Sequence, residues 1–299
     1  MSINPKEILQ DLLSGWTVVN SIGVGGFKEV FLVENDSRKE ALKITQYFDP
    51  VPSGSIDPDE LETMLRARTE REYNLLMDFG GGCVVSLGSI PIQEREVAGH
   101  RYGFYSEEYL PGKTLDNVNL DNRSAGNIPD PKQVKSVFRT GLKVIERIWT
   151  KKIVHRDIKP LNIMITGLKE RPVVFFDLGI AFDRSGTSLT AQSLGPGTLR
   201  YRAPETLDPD YRSSIDFRCD LFSLAVTVYE FAVGFHPIHH GSMSDGETVY
   251  RLLKKAAEPL YIHRPDLGTD FCVLIDKCLH KAPALRPNRL IELNRILED

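Results

Sequence analysis

Between residues 16 and 48 the side chains alternate in character: Trp16-Thr17-Val18-Val19, a glycine turn, Val30-Phe31-Leu32-Val33, a polar turn at Asn35-Asp36-Ser37, then Ala41-Leu42-Lys43-Ile44. Successive strand residues point to opposite faces, so this pattern predicts three antiparallel strands. From 57 to 79 the period lengthens. Leu61, Leu65, Tyr73 and Leu76 stand among charged residues, and Gly80-Gly81-Gly82 closes the run, which predicts a helix. A further helix is predicted over 131 to 151, where Val134, Val137, Phe138, Leu142, Ile145 and Trp149 recur at helical spacing as core positions. Val173-Val174-Phe175-Phe176 reads as a short apolar strand.

The strongest apolar stretch, 221 to 233, is interrupted by Ser223, Thr227 and Glu230. A bilayer needs about 20 apolar residues, so this stretch predicts a buried helix and no membrane span is expected. The start Met1-Ser2-Ile3-Asn4-Pro5-Lys6-Glu7 lacks the basic and apolar regions of a secretory leader. Residues 46 to 59 hold Pro50, Pro52, Gly54 and Pro58 and predict a long loop, read as an insertion in preference to a substrate or partner contact.

Composition narrows the class without naming it. A chain of 299 residues that is 41% hydrophobic and 26% charged can bury a sizeable core. Its formal charge is −4 and its Lys and Arg are dispersed, so no nucleic-acid partner is expected. Cys83, Cys219, Cys272 and Cys278 lack metal-binding spacing and read as free or buried thiols of a reducing compartment. His236, His239 and His240 cluster, but without the further ligands that a metal needs.

The chemistry is concentrated in His155-Arg156-Asp157-Ile158-Lys159-Pro160-Leu161-Asn162, with Asp177-Leu178-Gly179 beginning 15 residues after that Asn. Phosphoryl transfer asks for such a set: an acid to receive a hydroxyl proton, a cation for the migrating phosphate, and oxygen ligands for Mg²⁺. Upstream stand Gly23-Val24-Gly25-Gly26-Phe27-Lys28-Glu29-Val30, Glu40-Ala41-Leu42-Lys43 and Arg71-Glu72-Tyr73-Asn74-Leu75-Leu76. Downstream stand Gly197-Thr198-Leu199-Arg200-Tyr201-Arg202-Ala203-Pro204-Glu205, Asp220 and Leu285-Arg286-Pro287.

In this order the motifs resemble those of the eukaryotic-type (Hanks-type) protein kinases, and Lys159 resembles the serine/threonine branch. The resemblance covers roughly residues 16 to 298. It implies an α+β, two-lobed fold: a small, mostly antiparallel β lobe with one helix (about 16–107), a hinge (about 108–112) and a larger, mostly α-helical lobe (about 113–299). The whole of 1–299 is then a single kinase domain. ATP and Mg²⁺ are the implied cofactors and proteins bearing Ser or Thr the implied substrates. A cytoplasmic location is expected, with effector-type secretion left open; the oligomeric state is not indicated.

The same resemblance assigns roles. Asp157 receives the hydroxyl proton, Asn162 and Asp177 hold the metal, and Lys43 and Lys159 stabilise phosphate charge. Glu72 positions Lys43, with Glu70 the competing candidate. Gly23, Gly25 and Gly26 cover the phosphates. Val30, Ala41 and Met164 line the adenine pocket, where backbone near Glu108 and Leu110 supplies hydrogen bonds. Thr198 bonds Asp157 and Lys159, and Glu205 pairs with Arg286. Ser185, Thr187, Ser188, Thr190 and Ser193 lie in an implied activation loop whose phosphate Arg156 would read.

Four positions depart from the family pattern. Lys28 replaces the third glycine and is expected to face solvent rather than phosphate. Glu107 stands at the back of the pocket, which requires either a slip in register or a polar partner to offset its burial. Leu178 and Phe222 replace Phe and Trp. The alternatives are a pseudokinase binding module, disfavoured because no catalytic position is replaced, and a small-molecule phosphotransferase of kinase-like fold, disfavoured by the Thr198 and Ala-Pro-Glu elements.

Overall fold

The computed structural model describes residues 4–9, 15–25, 27–47, 57–178, 182–183, 199–208, 215–291 and 293. The chain divides into two compact units, Met1–Pro111 and Gly112–Asp299.

In the first unit helix α1 (Pro5–Leu9) precedes strands β1 (Thr17–Val24), β2 (Lys28–Glu34) and β3 (Lys39–Gln46). Helix α2 (Pro58–Phe79) comes next, then β4 (Gln93–Val97) and β5 (His100–Glu108). The strands form one antiparallel sheet in the order β1-β2-β3-β5-β4. Alternation in the sequence reveals β1 to β3 but not β5, which is buried on both faces from Tyr102 to Glu107 and has no solvent side to mark with polar residues.

Register then decides which side chains meet. Phe31, Val33, Leu42, Ile44 and Phe104 share one face and build a core with Ile8, Ile90 and Tyr102. On the other face Lys28 stands opposite Thr45, Val30 opposite Lys43, Lys43 opposite Tyr105, and Ala41 opposite Glu107. Directly opposed residues point the same way, so Lys28, Val30, Ala41, Lys43, Tyr105 and Glu107 share that face. Helix α2 begins at Asp57, whose side chain accepts the Asp59 N–H at 2.8 Å, and stops at Gly80. Its buried stripe is Leu61, Leu65, Thr69, Glu72, Leu75, Leu76 and Phe79, a helical spacing with one acid set in it.

The second unit contains β6 (Lys113–Thr114), α3 (Leu115–Ala125), α4 (Pro131–Trp149), β7 (Ile153–Val154), β8 (Ile163–Ile165), β9 (Val173–Phe175) and β10 (Phe182–Asp183). Helices α5 (Arg218–Val233), α6 (Asp245–Lys254), α7 (Leu260–His263) and α8 (Thr269–Cys278) follow. Strands β6, β8 and β9 form one small sheet, and β7 pairs with β10.

The centre of this unit is α5, buried from Cys219 through Ala232. Three of its polar residues have partners: Ser223 Oγ donates to the Cys219 carbonyl, Thr227 Oγ1 to that of Ser223, and Glu230 accepts from the distant Tyr201 at 2.6 Å. Helix α4 packs closely on it at Gly141, where a Cβ would overlap Leu224. Arg286 forms a two-pronged pair with Glu205 at 2.6 and 2.8 Å and stacks 4.9 Å from the centre of the Phe222 ring. Among the described residues no helix is long and apolar enough to cross a membrane, and all four cysteines are free.

Candidate active site

The turn between β1 and β2 is closed by the Gly25 N–H, which donates to the Lys28 carbonyl at 2.7 Å. A Cβ on Gly23 would meet Val30 at an ordinary 3.7 Å. The fold therefore does not require glycine at that position, and bare backbone there suits the close approach of a phosphate. Gly26 lies outside the described residues.

Below this turn Lys43 is buried and donates to Glu72 Oε1 at 2.6 Å. Glu70, the competing partner, is exposed. Lys43 also lies 2.5 Å from Glu107 Oε1, so the acid at that buried position has a polar partner. Burial pushes the Glu107 carboxyl up, Lys43 opposes this, and Glu72 adds to the rise. Lys28 corrects an expectation. It does not point to solvent but donates to Glu72 Oε2 at 3.2 Å, because its place opposite Thr45 puts it on the Lys43 face.

The end of β5 is fastened by contacts the sequence did not signal. Glu40, buried, accepts from Ser106 Oγ at 2.6 Å and from the Ser89 N–H at 3.0 Å. Glu108 donates its N–H to the Ser86 carbonyl and accepts the Ser86 N–H on Oε1 at 2.7 Å. Leu110 and Ala41 are buried, while Val30 is half-buried on β2. The segment around Ser86 has no periodicity, and a buried acid in a strand gives no sequence pattern, so only the fold exposes these bonds.

In the second unit β7 leads into the 155–162 loop. His155 and Arg156 donate backbone N–H to the two oxygens of Asp220, at 2.8 and 2.9 Å, at the head of α5. Arg156 has φ 67°, a left-handed conformation that such a clamp holds in place. Beyond it Asp157 Oδ2 accepts from Lys159 Nζ at 2.7 Å and from Asn162 Nδ2 at 2.9 Å. Asp157 Oδ1 is buried with no hydrogen-bond partner among the described residues. Burial raises the Asp157 carboxyl, Lys159 opposes, and Asp177 adds to the rise.

Residues 160–162 form a single tight turn, and the Asn162 carbonyl accepts the Phe176 N–H at 3.0 Å. That bond, with the pairing of β8 and β9, sets Asp177 just past the strand end at φ 63°. Met164 lies on β8, paired with Val174 and Thr114. Asn162 gives its amide nitrogen to the Asp157 carbonyl and carboxylate; its side-chain oxygen and the Asp177 carboxylate are hard oxygen donors of the type Mg²⁺ prefers.

Thr198 and the 185–193 hydroxyls lie outside the described residues, as does most of the 46–59 loop. The histidine cluster is structural: His236 Nδ1 accepts N–H groups of Ile238 and His239 at 3.1 and 2.9 Å, and burial holds its pKa well below the usual value.

Residues 16–297 match the protein kinase domain. The chain belongs to that family. It is 27% identical over 293 residues to serine/threonine-protein kinase PknF of Mycobacterium tuberculosis, covering 95% of this chain and 56% of the relative. It is 26% identical to serine/threonine-protein kinase C of Synechocystis over 99% of this chain and 51% of that protein. Mouse myosin-IIIb matches at 26% identity over 94% of this chain but only 20% of its own length. The chain thus spans about half or less of these relatives. Among solved structures, a mutant of the M. tuberculosis PknI kinase domain aligns with a TM-score of 0.63 over 95% of both chains at 20% identity, a likeness of fold. The protein-kinase fold, α+β with an antiparallel sheet in the first unit and helices dominating the second, is the one the motifs implied.

Proposed function

We propose that this kinase domain transfers the γ-phosphoryl group of ATP to serine or threonine hydroxyls of proteins, with Mg²⁺ as its metal. One observation carries most weight: Asp157 has one oxygen held by Lys159 and Asn162 and the other buried with no hydrogen-bond partner among the described residues. A buried carboxylate oxygen is kept in that state where a ligand donates to it, and a substrate hydroxyl is such a donor. The same burial raises its basicity toward working pH, which suits proton acceptance.

Lys159 and Lys43 stabilise negative charge on the phosphates, and Glu72 orients Lys43. Asn162 and Asp177 would hold Mg²⁺, which when bound neutralises charge on the phosphate oxygens. Val30, Ala41 and Met164 offer apolar surface to the adenine, with the backbone of Glu108 and Leu110 fixing its edge, and Thr198 supports Asp157 and Lys159. We read 1–299 as a single catalytic domain with a hinge at about 108–112, acting on proteins and not on nucleic acid. Four free thiols fit work in the reducing cytoplasm.

The test is incorporation of labelled phosphate from ATP and Mg²⁺ into a generic protein substrate, followed by separation of phosphoamino acids. Phosphoserine and phosphothreonine are expected, together with self-modification between Ser185 and Ser193 that is absent from Asp157→Ala. Phosphotyrosine as the main product, or label on small molecules alone, overturns the reading.

A further inference from the structure

The expected pair of Lys43 and Glu72 is joined in one cluster with Lys28 and Glu107. Glu72 on α2 receives both Lys43 from β3, at 2.6 Å, and Lys28 from β2, at 3.2 Å. Glu107 on β5 takes Lys43 at 2.5 Å. The Tyr105 hydroxyl, on β5, donates to Glu107 at 3.5 Å, and the Lys43 ammonium lies 5.9 Å from the centre of the Tyr105 ring. Within this group of ion pairs two cations face two carboxylates, so removing any one of the four unbalances its charge.

The side chains of Glu72, Lys43 and Glu107 are each no more than 5% exposed, whereas that of Lys28 is 26% exposed. A buried group of three with a net negative charge is unfavourable, because water cannot screen it and the carboxylates repel. Both Lys28 and Glu107 also depart from the family pattern, one as an added cation and the other as an added acid.

We infer that Glu107 and Lys28 act as a coupled pair of positioning residues: Glu107 holds Lys43 from the sheet while Glu72 holds it from the helix, and Lys28 supplies the positive charge that makes a second carboxylate tolerable. This rests on the proposed ATP-dependent activity for its consequence, but the coupling itself does not. Without Lys28 the uncompensated negative charge lies beside the lysine that meets the triphosphate, so it weakens ATP binding more than it slows the chemical step. Protonation of Glu107 cancels the excess. Burial and Glu72 already favour the protonated form, with Lys43 and Lys28 as the opposing charges.

The experiment is a double-mutant cycle on the full chain with Lys28→Met, Glu107→Gln and both together, with Lys28→Arg as the conservative control. Thermal unfolding of the four proteins reads the coupling without any activity. Lys28→Met should lower the Tm, and Glu107→Gln should recover most of that loss in the double variant. Additive Tm shifts overturn the inference whether or not the protein is a kinase. In steady-state assays Lys28→Met should raise KM for ATP about tenfold at pH 8 with a smaller change in kcat. The defect should shrink toward pH 6, and Lys28→Arg should stay near wild type. A KM defect that Glu107→Gln does not relieve would place Lys28 on the phosphates directly and overturn the coupling. Absence of phosphotransfer by the wild type beside a coupled unfolding cycle would sink the kinase activity and leave the pair standing.

Discussion

Asp220 accepts the backbone N–H of His155 at 2.8 Å from 65 residues away. With its other oxygen on Arg156, it ties the loop that carries Asp157 to the most buried helix of the second unit. Replacing Asp220 by Ala leaves two backbone donors unpaired, in an interior where each loss costs about 1–3 kcal/mol. The expected result is a lower Tm together with a fall in kcat, since Arg156 loses the restraint on its left-handed backbone. Full activity with an unchanged melting curve would show that the loop holds itself.

Asp157→Ala and Lys43→Ala should each reduce phosphotransfer by about 10²- to 10³-fold, the usual effect of losing one preorganised charge. Their stabilities should differ. Asp157→Ala removes a carboxylate of which one buried oxygen has no hydrogen-bond partner among the described residues. Lys43→Ala strips the shared partner from two buried acids and should destabilise by several degrees in Tm. Calorimetry beside a rate assay separates the two effects.

Gly23→Ala tests the glycine turn. An added methyl would stand at ordinary contact distance from Val30, so the melting temperature should hold within about 2 °C. KM for ATP should rise, because the methyl enters the space that the phosphates would use. An unchanged KM would free the turn of that role.

Peptide preference follows from what is missing near the catalytic loop. Leu161, just before Asn162, is 53% exposed, and Thr114 spends its hydroxyl capping α3 by accepting the Asn117 N–H at 3.2 Å. Neither offers a carboxylate to pair with arginine, although Asp116 is nearby in sequence. A positional-scanning library should show little gain from Arg two or three residues before the modified hydroxyl, and a strong Arg requirement would refute this.

Lys281 gives a pH prediction of known sign. Its ammonium is buried with no hydrogen-bond partner among the described residues, 5.5 Å from the centre of the Phe222 ring, and burial lowers its pKa to about 8, with Arg286 adding to the fall. Between about pH 8 and the ordinary 10.5 the folded protein binds fewer protons than the unfolded chain, so stability rises with pH across that window. Below pH 8 the penalty is fully present. Lys281→Met should therefore raise the Tm at pH 7, with the advantage fading toward pH 10.5; a constant advantage at all pH values would assign the gain to packing alone.

The spacing of Asp157, Lys159, Asn162 and Asp177 along the chain was enough to point to phosphate chemistry, because those residues lie on one loop and the next strand end, where local sequence sets local geometry. The helix 58–79 and the buried helix 218–233 were likewise legible, since periodicity and glycine stops are local signals. What the sequence left open were relationships across the sheet and between helix and sheet. Whether Lys28 faces solvent or Glu72, and whether Glu107 finds a partner, depends on the register of β2 and β5 against β3. A one-residue slip in either strand would turn the side chain to the opposite face. Tertiary pairing made that choice: it brought Lys28, Lys43 and Glu107 to one side of the sheet beneath the single acid in the buried stripe of α2, and burial there gave each charge a need for the others.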